Sequence, residues 1–367
     1  MLTGPDRSAL QLLAMAAVVA LAGACTPSQS GRDSGPGAVG NRAAAWSVQE
    51  TTTIPEVDPP SPTRSTYVAE ASRLGLAGCP VFPDNNVFHS DITDLPVRES
   101  SDDTISAAGA ELTLRAPTSF VWEGSRPGLP VNLVDSRTTP GVDVVGGTYS
   151  YLSDLEDHPI PDSPRIEGYP GMAWDRHMLV LDTATCVTSE FFFVTPPNPW
   201  FDRWTASGAV KMDLRGNAIR ARGSANAAGM SLLAGMLRYD EVASGQVNHM
   251  IGISLPDISE LGPVWPASRT DGRSADPHTP RMGTILRLKP TVDLSGLGQH
   301  SRVIAEAMQT HGLVVGDTGP DWINLAVENH SGWDDLDLSG MSGISLADFE
   351  VVDPEAMKVS DHSYEIR

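Results

Sequence analysis

Cysteine is scarce in this chain of 367 residues, occurring only as Cys25, Cys79 and Cys186. That excludes a disulfide-dense scaffold and any zinc site built on four thiolates. Cations are scarce too: 25 Lys and Arg stand against 46 Asp and Glu, for a formal charge of −21 at pH 7. With no basic run, the chain is a poor ligand for nucleic acid and for anionic wall polymers, which leaves neutral ligands, cationic ligands and proteins as partners. No apolar run reaches the roughly 20 residues that a membrane-spanning helix needs. Several enzyme signatures are also missing. There is no Gly-x-Ser-x-Gly elbow, no Gly-x-x-x-x-Gly-Lys-Ser/Thr loop, no Gly-x-Gly-x-x-Gly fingerprint and no His-Glu-x-x-His helix. Their absence weighs against the commonest lipases, phosphate-loop enzymes, dinucleotide enzymes and zinc proteases. Nothing in the sequence calls for a cofactor or a metal.

What is present at the start is an export signal. Residues 1–24 have a short head with Arg7, a run from Ala9 to Ala22 broken only by Gln11, and small residues at Ala22, Gly23 and Ala24 before Cys25. The run is too short to span a bilayer and fits a signal-peptide core. Leu21-Ala-Gly-Ala-Cys25 resembles the lipobox of bacterial lipoproteins, with alanine at the third position before the cysteine where leucine is commoner. The resemblance implies cleavage before Cys25, acylation of its thiol by fatty chains such as palmitate, and a position on the outer face of the cytoplasmic membrane. Against it stands an ordinary secretory signal in which Cys25 is incidental. Residues 25–65 then read as a disordered tether. Ser, Gly, Pro, Thr and Arg dominate, and the large apolar residues stand singly, too few to offset the entropy of ordering the segment. With Cys25 committed to lipid, Cys79 and Cys186 are left either as one disulfide, favoured in an exported domain, or as two separate buried thiols.

About 300 residues, 66–360, remain for a single folded domain, since no repeat and no second linker interrupts them. Short apolar runs between Gly and Pro turns predict a mainly β fold, an antiparallel sandwich or jelly-roll-like domain with one or two short helices. The clearest unit is a hairpin, His177–Leu181 and Cys186–Val194 around Asp182–Thr185. Further strands are expected at 111–114, 208–214, 247–255, 283–289, 313–316, 322–327 and 349–352. Helices are expected at Ser301–His311, stopped by Gly312, and at Ser224–Ala228.

The blocks Asn86–Val97, Ile166-Glu-Gly168, Asp175-Arg-His-Met-Leu-Val-Leu-Asp182, Asp213-Leu-Arg-Gly-Asn217, Arg238-Tyr-Asp-Glu-Val242, Met282–Lys289 and Gly312–Trp322 resemble a group of secreted bacterial proteins with no assigned activity. The likeness covers most of residues 80–353. It departs at Phe88-His89, where the pattern calls for an aromatic-asparagine pair.

Several residues carry candidate chemistry. An even turn centred between Thr183 and Ala184 puts His177 across from Glu190, an oriented acid/base unit that Asp175 can join; a buried structural pair is the alternative. Asp213 and Arg215 alternate with apolar residues on one strand face, as a solvated ion pair or as the wall of a cleft. In the second case Asp213, Glu190 and Asp240 or Glu241 supply the paired carboxylates of glycoside hydrolysis. His249 falls on an apolar face, as a satisfied core histidine does. Asp335-Leu-Asp-Leu-Ser-Gly340 opens like a calcium loop, but position twelve is Leu346, so it reads as a turn. Of the scattered tryptophans, Trp200 and Trp204, flanking Phe201-Asp-Arg203, best suit stacking on sugar, with core packing the alternative; Trp122 and Trp174 are less distinctive. Together these residues predict a lipid-anchored protein acting on carbohydrate, a neutral polysaccharide, with Glu190, Asp213, His177, Asp175 and Asp240 catalytic and Trp200, Trp204, Arg215 and Glu241 binding. A noncatalytic glycan- or protein-binding lipoprotein is the alternative.

Overall fold

Glycine and proline turns cut the chain into short runs whose apolar residues find partners far away in sequence. The computed structural model describes residues 75–118, 124–171 and 175–367, all within one compact unit. The expected signal segment, Cys25, the tether, Trp122 and Trp174 lie outside the described residues. Twelve strands occur among the described residues: β1 (Leu114–Arg115), β2 (Val131–Val134), β3 (Val144–Gly146), β4 (Met178–Asp182), β5 (Val187–Phe192), β6 (Trp204–Ala206), β7 (Gly208–Asp213), β8 (Ile251–Leu255), β9 (Ile285–Leu288), β10 (Leu313–Thr318), β11 (Ile323–Leu325) and β12 (Phe349–Val351). The helices are α1 (Ser101–Ala108), α2 (Leu232–Gly235), α3 (Tyr239–Ser244), α4 (Gln299–Thr310) and α5 (Asp335–Ser339).

The fold is mainly β, as the sequence predicts. Its strands form a six-stranded sheet in the order β1-β11-β8-β10-β9-β12, a four-stranded sheet β2-β4-β5-β7 and a pair β3-β6. The sheets are mixed. β1/β11, β8/β10, β2/β4 and β3/β6 run parallel, and the remaining pairs run antiparallel. Parallel neighbours need long crossovers, which the returns from β2 to β4 and from β8 to β10 provide. The purely antiparallel arrangement gives way for that reason.

β4 is buried at every position. Its side chains alternate between two cores: Leu179 and Leu181 join the main core with β8, β9 and β10, while Met178 and Val180 join a second one with Val144, Phe191 and Ala209. A strand buried on both faces reads as an unbroken apolar run, which is what made it visible in the sequence. The long helix also falls where predicted. Ile304, Ala305, Ala307 and Met308 of α4 are buried, and Gly312 follows with φ of 79°. A side chain there would meet Ile92 and the Leu286 carbonyl within 2.6 Å, so glycine is required on both counts.

Two local expectations are corrected. Asp182 stays in the hairpin ladder, paired with Val187, because its carboxylate accepts hydrogen bonds from the Ala184 N–H, the Thr185 hydroxyl and the Ser136 N–H. The loop is therefore Thr183–Cys186, with Cys186 left-handed at φ 55°, and the register pairs Leu179 with Glu190. His177 sits beside Phe192 instead, with ring centroids 5.7 Å apart. Ser224–Ala228 is not a helix. The Asn226 side chain accepts from the N–H groups of Gly229 and Met230 and closes a turn. Local side-chain bonds of this kind compete with the helical ladder.

Cys79 and Cys186 form a disulfide across a sequence separation of 107. It fastens the β4–β5 loop to the first described segment.

Candidate functional site

The backbone lays out the site before any side chain is considered. Glu167, in a turn, and His177, just before β4, face each other, the Glu167 N–H donating to the His177 carbonyl at 2.9 Å. The Glu167 carboxylate returns the contact, accepting from the His177 N–H at 3.1 Å and from Nδ1 at 2.8 Å. The other ring nitrogen, Nε2, faces the Ala225 carbonyl at 3.3 Å. Both partners are acceptors, so both ring nitrogens donate and the ring is an imidazolium. Burial works against that charge, but Glu167, then Asp175 and Asp317, outweigh it and lift the imidazole to about 9. His177 is thus a fixed cation rather than a base.

Asp317 arrives from the other sheet. The β8/β10 ladder slips between Val315 and Asp317, leaving Gly316 as the extra residue of a bulge. Bulges re-aim the side chains that follow them. Here the bulge turns Asp317 toward His177, while the Thr318 N–H and the Ala227 N–H donate to its carboxylate at 2.9 and 3.4 Å. Burial pushes the Asp317 carboxyl up to about 7, with the His177 cation pulling in the opposite direction. Asp175 completes the group. Solvent reaches it through the cleft, yet protein encloses it on most sides, which raises its carboxyl, while His177 draws it down. The turn around Asn226 organises all of this, since its Ala225 carbonyl and Ala227 N–H hold His177 and Asp317 respectively.

Two cavities, of about 450 and about 480 Å³, share Asp175, His177, Asn226, Asp317 and Thr318 in their walls. The first is walled mostly by apolar groups, among them Phe88, Leu129, Leu232, Ile253, Trp322 and Val327, and it also takes in Glu167. The second has Tyr149, Tyr151, Phe192, Arg269 and Asp271. No protein-family model, curated protein or solved structure matches this chain. An acid that holds its proton to near neutrality and a second carboxyl, each interacting with the same fixed cation and lining the same cavities, are suited to proton transfer onto a bound oxygen.

The other sequence-predicted residues stand elsewhere. Glu190 is fully buried and lines neither cavity. Its carboxylate accepts from the Ser231 hydroxyl at 2.6 Å and the Leu232 N–H at 2.8 Å, so it caps α2. Burial raises its carboxyl against the pull of those bonds. Its catalytic assignment is withdrawn, because solvent and substrate cannot reach it. Asp213 and Arg215 form an exposed ion pair at 2.8 Å, well away from His177's partners. Asp240 is an exposed neighbour of Arg238, and Glu241 is held between Arg238 and the buried His249. These are structural contacts, and they do not join the cleft. His249 is a satisfied, buried histidine, although it lies in a bend before β8 rather than on the expected strand face. Asp335–Ser339, read from the sequence as a turn, is the helix α5, and its Asp337 accepts from the N–H groups of His300 and Ser301 and caps α4.

Trp204 packs against the second core, whereas Trp200 is 93% exposed at a loop tip. Of the predicted set, then, the structure brings together only His177 and Asp175. Glu167, Asn226 and Asp317 were missed as site residues, although Glu167 and Asp317 both lie in segments that the sequence singles out, Ile166–Gly168 and Gly312–Trp322.

Proposed function

We propose that the protein is a lipid-anchored, exported hydrolase of neutral glycans whose reaction centre is the Asp317–Asp175–His177 cluster. The observation that carries this reading is the convergence of two carboxyl groups and a fixed imidazolium on one cleft that solvent enters. In the reaction, Asp317 gives its proton to the glycosidic oxygen as the bond from that oxygen to the anomeric carbon breaks. Water supplies the oxygen that bonds to that carbon, and its released proton passes to the Asp175 carboxylate. Proton exchange with solvent then restores both groups. His177 favours the ionised form of Asp175 against the burial that raises its carboxyl, and Glu167 keeps His177 charged.

Export is supported by the signal-like segment and the small residues before Cys25. The Cys79–Cys186 bond suits an oxidising compartment. Glu167, Asp175, His177 and Asp317 all lie in the blocks on which the proposed kinship with the secreted bacterial group rests.

The test is incubation of the detergent-solubilised protein with a panel of uncharged polysaccharides. Sugar release should fall at least 100-fold in Asp317→Asn and in Asp175→Asn, with circular dichroism unchanged. Full release by both variants would refute the assignment. A second reading, noncatalytic glycan binding, is favoured by Trp200, whose exposed indole offers a flat face to a sugar ring. Binding without release, lost in Trp200→Ala, is its signature.

A further inference from the structure

We propose that the substrate is a neutral polysaccharide cut within its length, lying through both cavities and crossing the carboxyl cluster where they meet. This rests on the hydrolase reading and adds to it the length of chain bound and the position at which it is cut. The decisive observation is the sharing of walls. Asp175, His177, Asn226, Asp317 and Thr318 border both cavities, so the reactive groups stand between two spaces rather than at the end of one. An enzyme that trims chain ends needs one closed pocket with its acids at the mouth. Here about 450 Å³ lies on one side and about 480 Å³ on the other, each within the size range that encloses a small-molecule ligand and roomier than one sugar ring.

The two sides differ in chemistry as binding sites for successive sugars do. On the first, Leu129, Leu232 and Trp322 present apolar surface to the C–H faces of a ring. On the second, Tyr149 and Tyr151 are 43% and 67% exposed and offer aromatic faces with hydroxyls at their tips. Large aromatic side chains left open at a cavity wall are unfavourable for the free protein and become covered by a stacked ring. Thr318 joins the sides, its hydroxyl donating to Asp271 at 2.7 Å.

Charge narrows the class further. Among the described residues, Glu167, Asp175, Asp271 and Asp317 line the cavities against one cation besides His177, Arg269, whose guanidinium already donates to the Ala221 carbonyl. Chains bearing uronates or phosphates would meet carboxylates on both sides, so the sugars are uncharged.

Two measurements test the proposal and separate it from the reading beneath it. In the first, the wild-type protein digests linear uncharged glucan, xylan, mannan, galactan and arabinan while product sizes are followed. Internal cutting gives an early fall in mean chain length with oligosaccharides of mixed size; release of only mono- or disaccharide from chain ends overturns the proposal and leaves the hydrolase standing. In the second, calorimetry measures binding of an oligosaccharide ladder from the responsive polymer, or from each polymer if none is cut, to Asp317→Asn. Affinity should rise at least 10-fold from disaccharide to hexasaccharide, and Tyr151→Ala in the same background should remove most of that rise. An affinity that is flat from the disaccharide upward overturns the proposal. A rising affinity without cleavage by the wild-type protein keeps the bound chain but overturns both the cutting and the hydrolase.

Discussion

His177 and Glu190, which the sequence pairs as one acid/base unit, take separate roles once their neighbours are fixed. His177 has only acceptors around its ring, which fixes it as a cation with a value near 9, above the ordinary 6.5. A histidine raised in this way contributes stability that is fully present below pH 6.5 and is lost as pH rises through 9. The Tm should therefore fall between pH 6.5 and 9.5 in scanning calorimetry, and His177→Gln should remove most of that slope. Asp317 works in the same direction at lower pH: the unfolded chain ionises it near 4 and the folded one near 7, so its contribution declines across that interval. In ¹³C NMR the Asp317 carboxyl should titrate near 7; a midpoint near 4 would remove it as the proton donor.

Glu190, by contrast, is an anchor. Glu190→Ala leaves the Ser231 hydroxyl and the Leu232 N–H without their buried acceptor, at a cost of about 1–3 kcal/mol for each unsatisfied group. The variant should melt early and, below its Tm, still act on substrate. Asp213→Asn should change stability by less than about 1 kcal/mol, since it breaks only a surface pair.

At the scale of elements, the hairpin β4–β5 ties the site to the rest of the chain. Its loop is held by the Cys79–Cys186 bond, and closing a loop of about a hundred residues stabilises by on the order of 4–5 kcal/mol in the chain-entropy model. Cys79→Ser/Cys186→Ser should lose a large part of that in urea denaturation, and a loss below about 1 kcal/mol would show the bond to be dispensable. This hairpin also marks the limit of what the sequence discloses. Alternation and apolar runs located β4, β5, β7, β10 and α4, because burial on a fixed period leaves a mark in the residues themselves. The register escaped, because it turned on which backbone groups the Asp182 carboxylate captured, and moving the loop by one residue replaced Glu190 with Phe192 beside His177. Helices α2, α3 and α5 are too short to show a period. Asp175 and His177 were legible as a pair on one strand. Glu167 and Asp317 were not, because one comes from a loop and the other from a bulge in a different sheet, and only the fold brings them to the same imidazole.

At the scale of the whole molecule, the reading depends on where the domain is held. Among the described residues no helix is long and apolar enough to cross a membrane. Cys25 is the proposed point of attachment, with residues 26–65 as the spacer. The net charge of −21 makes this a demanding test, because a strongly acidic domain is repelled by an anionic lipid surface and has no polybasic patch to hold it there. Lipid on one cysteine then has to supply the whole attachment, and a single acyl chain gives only marginal, reversible binding, so more than one chain is required. Cys25→Ala should accordingly move the protein from the membrane pellet to the soluble exported fraction, with the disulfide formed and glycan release unchanged. A Cys25→Ala protein that stays in the pellet through a high-salt wash would place the attachment elsewhere and remove the argument that left Cys79 and Cys186 as a pair, although the bond between them would stand on the structure alone.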